Sequence, residues 1–361
     1  MTASLRWGIA GAGWIAARFA ADLAYGSAGH VTRVTARRAE TAAALAARHG
    51  AQVAPDVEAL VRADDVDVVY VATPAWLHHE HCLLALAHGK AVLCEKPFAM
   101  TAAQAREIAD AAQQAGTFCM EAMWTRFLPV MVETRRRVRA GALGDLCHLG
   151  AELGFPHAET AANATITSVD MGGGALMDLG VYGVSAAHDM FGPPDDVAAQ
   201  GAWSESGSLR DVTISLRHRS GPAPALATIR ASHRTALGNR LDIGGTTGRI
   251  VTEAPFIQAT SAAQFPVRED VRGPYQPSKL KDALRGSPAW PLIRAAAGKA
   301  ARRDGMGING RFRGYGLWFE ADEVARCIAA GQVESTVMPR GESVAVCETL
   351  DRIRACLDRA G

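Results

Sequence analysis

Residues 66–73 read VDVVYVAT, a run too apolar for a strand that keeps one face in water. It predicts a strand buried on both faces, which the interior of a parallel sheet provides and an isolated hairpin does not. The segments around it repeat one alternation. Leu5 to Ala10 (LRWGIA) reads as a strand, and Trp14 to Tyr25, with Ile15, Phe19 and Leu23 at helical spacing, as a helix. Val31 to Ala36 is then a strand, Ala39 to His49 a helix, Trp76 to His88 a helix, Ala91 to Cys94 a strand, Thr101 to Ala115 a helix and Thr117 to Glu121 a strand. This pattern predicts an α/β fold that begins with a doubly wound parallel sheet over residues 1–122.

The pattern changes beyond Met123. A helix over Pro129 to Ala140 and a strand-like CHLGAEL are followed by a Gly-rich segment that opens another helix. Runs at 196–204, 212–217, 225–232, 240–243 and 248–252 are separated by Gly, Pro and Ser turns, which predicts a largely antiparallel open sheet. Helices at 315–330 and 342–360 close the chain, so 123–361 reads as an α+β domain. Its segment 271–313 is broken by prolines and locally basic, and reads as an irregular, solvated insertion.

A length of 361 residues agrees with two domains, and 38 Lys+Arg against 37 Asp+Glu leave no overall field to hold a nucleic acid. No apolar run is long enough to cross a bilayer, and the first strand begins at Leu5, so neither membrane association nor a secretory signal is expected. Seven scattered cysteines without a C-x-x-C pair suit free thiols in a cytoplasmic protein.

The chemistry-bearing residues cluster after the strands. Gly11-Ala12-Gly13-Trp14-Ile15-Ala16 follows the first strand and opens the first helix, the context in which glycines admit a dinucleotide pyrophosphate to a helix N-terminus. The second strand ends in Arg37-Arg38, with no acid between Asp22 and Glu40 to accept from a ribose hydroxyl. Two guanidinium groups there favour the extra phosphate of NADP, with NAD still possible. Glu95-Lys96-Pro97 lies at the carboxyl end of a parallel strand, where such sheets bind ligands. In GGGALMDLGVY, Asp178 and Tyr182 are four apart and share a helix face if the segment is helical. Tyr182 would need a cation such as Lys96 nearby to act as a base at neutral pH. Trp124, Arg126 and Phe127, where the chain leaves the first sheet, could line a nicotinamide or substrate pocket or simply pack between domains. His78, His79 and His81 do not all share a helix face, and no metal site is expected.

Together GAGWIA, VATPAWLHHEH, LCEKP and GGGALMDLGVY resemble the glucose-fructose oxidoreductase and inositol dehydrogenase (Gfo/Idh/MocA) family. EKPFAMTAAQAREIA, MEAMWTRFLP, GALGD and YGLWFEADEVARCI are most similar to its subgroup of dimeric dihydrodiol and NADP-dependent xylose dehydrogenases. The resemblance implies hydride transfer between nicotinamide and a hydroxyl or keto carbon of a sugar or cyclic diol. It matches Lys96 to the family lysine, which polarises the substrate oxygen and makes Tyr182 more acidic, assigns Tyr182 to proton transfer and Asp178 to orienting the substrate or Tyr182, and sets Thr73, Pro74 and His78 beside the cofactor. A homodimer or higher homo-oligomer is also implied. The rival readings are an NAD-dependent glycoside hydrolase of the same family and a non-catalytic NADP-binding sensor.

Overall fold

A computed structural model describes residues 4–168, 171–219, 223–267, 278, 283–294 and 306–358. Strands β1 (Leu5–Ala10), β2 (Gly29–Thr35), β3 (Gln52–Val53), β4 (Val68–Val71), β5 (Ala91–Glu95) and β6 (Cys119–Ala122) form a parallel sheet in the order β3-β2-β1-β4-β5-β6. Helices α1 (Trp14–Asp22), α2 (Ala39–His49), α3 (Val57–Arg62), α4 (His78–Ala87) and α5 (Ala102–Ala115) connect them. All four residues of β4 are buried, as the run at 66–73 requires of a strand covered on both faces. Strand order reverses between β1 and β4, which opens a crevice above their carboxyl ends.

Two elements of this sheet were not expected from the sequence. β3 is two exposed residues at the edge, and α3 is a six-residue helix whose start is fixed by the Asp56 carboxylate accepting from Ala59 N at 2.7 Å. α1 is also shorter than its apolar spacing suggests. It ends at Asp22, whose buried carboxylate accepts the backbone N–H groups of Tyr315, Gly316 and Leu317 at 2.7–2.9 Å.

After α6 (Pro129–Arg139) come β7 (Leu146–Gly154), the short α7 (Ala164–Thr167), a π-helical turn at Leu176–Gly180 and α8 (Val181–Phe191). Then follow β8 (Asp196–Trp203), β9 (Leu209–His218), β10 (Ala225–Ser232), β11 (Leu241–Gly245), β12 (Gly248–Thr252), β13 (Ser261–Pro266) and β14 (Met306–Asn309). These strands form a second, eight-stranded sheet ordered β14-β13-β12-β11-β7-β10-β9-β8, antiparallel except where β10 runs parallel to β7. α9 (Trp318–Ala329) and α10 (Arg340–Asp358) complete the chain.

The second sheet buries one face only. On β9, Val212, Ile214 and Leu216 are buried while Thr213, Ser215 and Arg217 are exposed. That alternation explains why these strands are legible as period-two patterns. Within the basic segment 271–313 the structure corrects the sequence reading at its end, because Met306–Asn309 pairs with β13. Its lysines at 279, 281 and 299 and arginines at 302 and 303 lie outside the described residues. Among the described residues no helix is long and apolar enough to cross a membrane.

Candidate active site

The glycine turn after β1 has two different tolerances. Gly11 has φ +108°, and a Cβ there would lie 2.4 Å from the Ala72 carbonyl oxygen, so only glycine lets the β1 and β4 loops come together. Gly13 has ordinary extended backbone, and a Cβ on it would meet nothing within 4 Å. The start of α1 carries no side-chain cap, so its first N–H groups face this open space. An uncapped helix end beside a glycine with free space around it fits a pyrophosphate. Arg37 and Arg38 are both exposed just past β2.

Lys96 leaves the end of β5 and is almost enclosed. Its Nζ donates to the Asp178 carbonyl at 2.8 Å and to Asp178 Oδ1 at 3.0 Å, and it stands over the Tyr182 ring at 4.9 Å. The π-helical turn at Leu176–Gly180 widens the spiral between Asp178 and Tyr182, yet both still meet the ammonium. His233, fully buried at the end of β10, donates Nε2–H to Asp178 Oδ2 at 3.1 Å, since a carboxylate can only accept.

Burial alone would lower the Lys96 pKa, but Tyr182, Asp178 and Glu95 hold it above the ordinary lysine range. Burial would raise Asp178, and Lys96 and His233 keep it well below the usual carboxylate range. Tyr182 is pushed up to about 12 by burial, against the pull of Lys96. At neutral pH the cluster is therefore an ammonium, a carboxylate and a neutral phenol.

Several sequence-nominated residues support this cluster from outside. Glu95 is buried, accepting from the Tyr70 hydroxyl and from Lys96 N at 3.1 Å, so its carboxylate anchors the loop from below. His78 is buried with its ring nitrogens 2.9 Å from the Thr73 and Pro97 carbonyl oxygens. Burial lowers its pKa to about 4, and the neutral ring can donate to only one of the two carbonyls. His78 thus ties the Thr73-Pro74 loop to the Lys96-Pro97 loop.

Trp124 and Arg126 diverge because 124–127 is a 3-10 turn. Trp124 Nε1–H donates to the Tyr182 oxygen at 3.0 Å. Arg126 instead spends its guanidinium inside the fold. Nε donates to Ser185 Oγ at 2.9 Å, Nη2 to Ser185 O at 2.7 Å, and Nη1 pairs with Glu342 at 2.7 Å. A pocket-lining place for Arg126 is corrected accordingly, since all three nitrogens are engaged away from Lys96. Phe127 is buried core. Two neighbours of the cluster were not nominated by the sequence. His233 could be suspected only as a polar S-H-R-T sequence after an alternating strand, and Tyr315, stacked on Trp124 at 5.1 Å, opens the YGLWFEADEVARCI segment but was given no place in the site.

Comparison with known proteins adds an independent line. Residues 5–123 match the family described as "Oxidoreductase family, NAD-binding Rossmann fold", and residues 131–251 match the GFO/IDH/MocA C-terminal domain. The chain belongs to the Gfo/Idh/MocA oxidoreductase family. As a member of that family it is an NAD(P)-binding oxidoreductase. It is similar to trans-1,2-dihydrobenzene-1,2-diol dehydrogenase of Bos taurus, at 31% identity over 98% of this chain and 97% of the relative. Similarity to D-xylose 1-dehydrogenase (NADP(+)) of Hypocrea jecorina is 30%, over 96% of this chain and 90% of that one. Among solved Gfo/Idh/MocA-like folds, the 3-ketoreductase KijD10 from Actinomadura kijaniata, in complex with NADP and TDP-benzene, superposes with a TM-score of 0.76. Its identity is 22%, with 98% of each chain covered, so the likeness is one of fold.

Proposed function

We propose that this family member is an NADP-dependent dehydrogenase or reductase acting on a CH–OH centre of a sugar or cyclic diol. Residues 1–122 carry the nucleotide in this reading and residues 123–361 the substrate side. The observation that supports it most is the meeting of Lys96, which follows β5 of the first sheet, with Tyr182 at the start of α8 in the second half of the chain. The NADP named for the xylose dehydrogenase relative, and the diol named for the other, agree with it. Seven free thiols suit a reducing, cytoplasmic setting, and the uncovered face of the second sheet suits self-association into a homodimer.

Gly11, Gly13 and the start of α1 would hold the dinucleotide's pyrophosphate, and its nicotinamide would supply or accept the hydride. The protein's part is the proton and the charge. Lys96 donates to the substrate oxygen once that oxygen displaces Asp178 from part of its ammonium; the Tyr182 hydroxyl delivers the proton in reduction, and its phenolate takes the substrate's proton in oxidation. Asp178, held from behind by His233, fixes the direction of the Lys96 ammonium.

Two expected results bear on the nucleotide end. Gly13→Val leaves the melting temperature near its original value, because a Cβ there meets only open space. Nucleotide affinity falls sharply, as the branched side chain occupies the pyrophosphate's place. Quenching of protein fluorescence measures this, since Trp14 is 58% exposed at the same turn. Replacing both Arg37 and Arg38 with Ala weakens NADP by roughly 10- to 100-fold, the scale of lost hydrogen bonds to a charged group, and leaves NAD affinity nearly unchanged. Equal losses for both nucleotides, or none for either, would remove the arginines from the 2′-phosphate.

A further inference from the structure

Tyr182 is joined to the nucleotide turn by a row of aromatic rings that the proton-transfer scheme leaves unused. Trp14, the first residue of α1, meets Tyr315 edge-on at 5.1 Å between ring centroids. Tyr315 stacks on Trp124 at 5.1 Å with the planes 28° apart. Trp124 then donates its indole N–H to the Tyr182 oxygen at 3.0 Å. The Arg18 guanidinium lies over both Trp14 and Tyr315, at 5.4 and 5.6 Å. Below them, the Asp22 carboxylate collects three successive N–H groups from Tyr315 to Leu317, which clamps this strap onto α1. Trp124 is only 2% exposed, so this N–H is held inside the fold.

We propose that Trp124 is a further catalytic residue, its indole N–H bonded to the Tyr182 oxygen throughout proton transfer, and that Tyr315 is the positioning residue that holds this donor in place. The proposal rests on the role read for Tyr182 above. In the oxidising direction the substrate O–H bond breaks and its proton goes to the Tyr182 phenolate. The C–H bond breaks with its electron pair going to nicotinamide, and C=O forms. The indole gives up no proton in the step. It stabilises the phenolate more than the phenol, because a hydrogen bond to a full charge is stronger than one to a neutral oxygen. One lone pair of the oxygen receives the indole, which leaves the O–H direction free for substrate.

Charged and titratable groups around Tyr182 come from four elements. They are Glu95 and Lys96 at the end of β5, Tyr70 on β4, Asp178 on the π-helical turn and, behind Asp178, His233 at the end of β10. Glu95 and Asp178 oppose the phenolate, and Lys96 with the Trp124 hydrogen bond favours it. An uncharged donor that acts only on the phenol oxygen can therefore be separated from the others by a substitution that changes no charge.

The test is Trp124→Phe, which keeps an aryl ring for Tyr315 and deletes the N–H. The limb of the kcat profile for substrate oxidation that rises with pH should move upward by about one to two pH units, with about a 10- to 100-fold loss of kcat at neutral pH. NADP affinity should stay unchanged. A readout without turnover is the ¹⁹F shift of difluorotyrosine placed at 182, whose ionisation should move upward by a similar amount in the Trp124→Phe background. Tyr315→Leu, which keeps the N–H and removes the stack, should shift the same limb by a smaller amount. If Trp124→Phe folds poorly, that second variant with the fluorine titration still decides the matter. An unmoved limb and an unmoved ¹⁹F titration would overturn the proposal. Full turnover in Tyr182→Phe would instead overturn the Tyr182 reading beneath it.

Discussion

Lys96→Met is expected to lose about 10³-fold or more in kcat while NADP affinity stays within a few-fold, as removal of one charge-stabilising donor and of the acid's partner together suggests. Methionine keeps the unbranched apolar stem and is one atom shorter. It removes the ammonium that lies 3.0 Å from Asp178 Oδ1 and 4.9 Å from the Tyr182 ring. Two consequences reinforce each other. The developing charge on the substrate oxygen loses its donor, and Tyr182 loses the group that opposes the effect of burial on its ionisation. Asp178 is left with His233 as its remaining hydrogen-bond partner in the cluster, so circular dichroism should accompany the kinetics to show that the fold persists. A kcat within threefold of the original enzyme would remove Lys96 from the chemistry.

Tyr182→Phe should cost about 10²- to 10⁴-fold in kcat, the range for a positioned acid or base. The ring persists, so Lys96 keeps its aromatic contact and the packing of α8 is undisturbed. The proton carrier is deleted, and with it the acceptor of the Trp124 N–H. Direction matters for the pH dependence. Carbonyl reduction needs the phenol, which is the dominant form below about 12, so the reductive rate should be flat through the neutral range. Alcohol oxidation needs the phenolate, so the oxidative rate should climb with pH in the original enzyme and lose that climb in Tyr182→Phe. Steady-state rates in both directions across pH measure this. A surviving climb would assign it to another group.

Most of the first sheet was legible because its strands are buried on both faces and its helices carry one apolar stripe. Val68–Val71 and Ala91–Glu95 are buried at every position, and their apolar runs show it directly. Edge elements were harder, because β3 is exposed and has no pattern to read. β13 and β14 failed for a related reason, since SAAQFP and MGIN are short and the latter ends a basic stretch that reads as solvated. At the site, Lys96, Asp178 and Tyr182 were readable as residue types at strand and helix ends. Arg126 was misplaced because sequence does not show that a 3-10 turn sends Trp124 to Tyr182 and Arg126 to Ser185, three residues apart on one helix. His233 joins Asp178 only through the placement of β10 beneath the π-helical turn, a long-range contact that local periodicity does not encode.

The measurement closest to the central claim is the absorbance of reduced nicotinamide during incubation with a panel of aldoses and trans-dihydrodiols, using NADP and NAD in parallel and Tyr182→Phe alongside. The expected result is NADP reduction with at least one sugar or diol, slower with NAD and nearly abolished by Tyr182→Phe. Reduction that proceeds equally well in Tyr182→Phe, or no reduction across the panel by a protein shown to bind NADP, would contradict it.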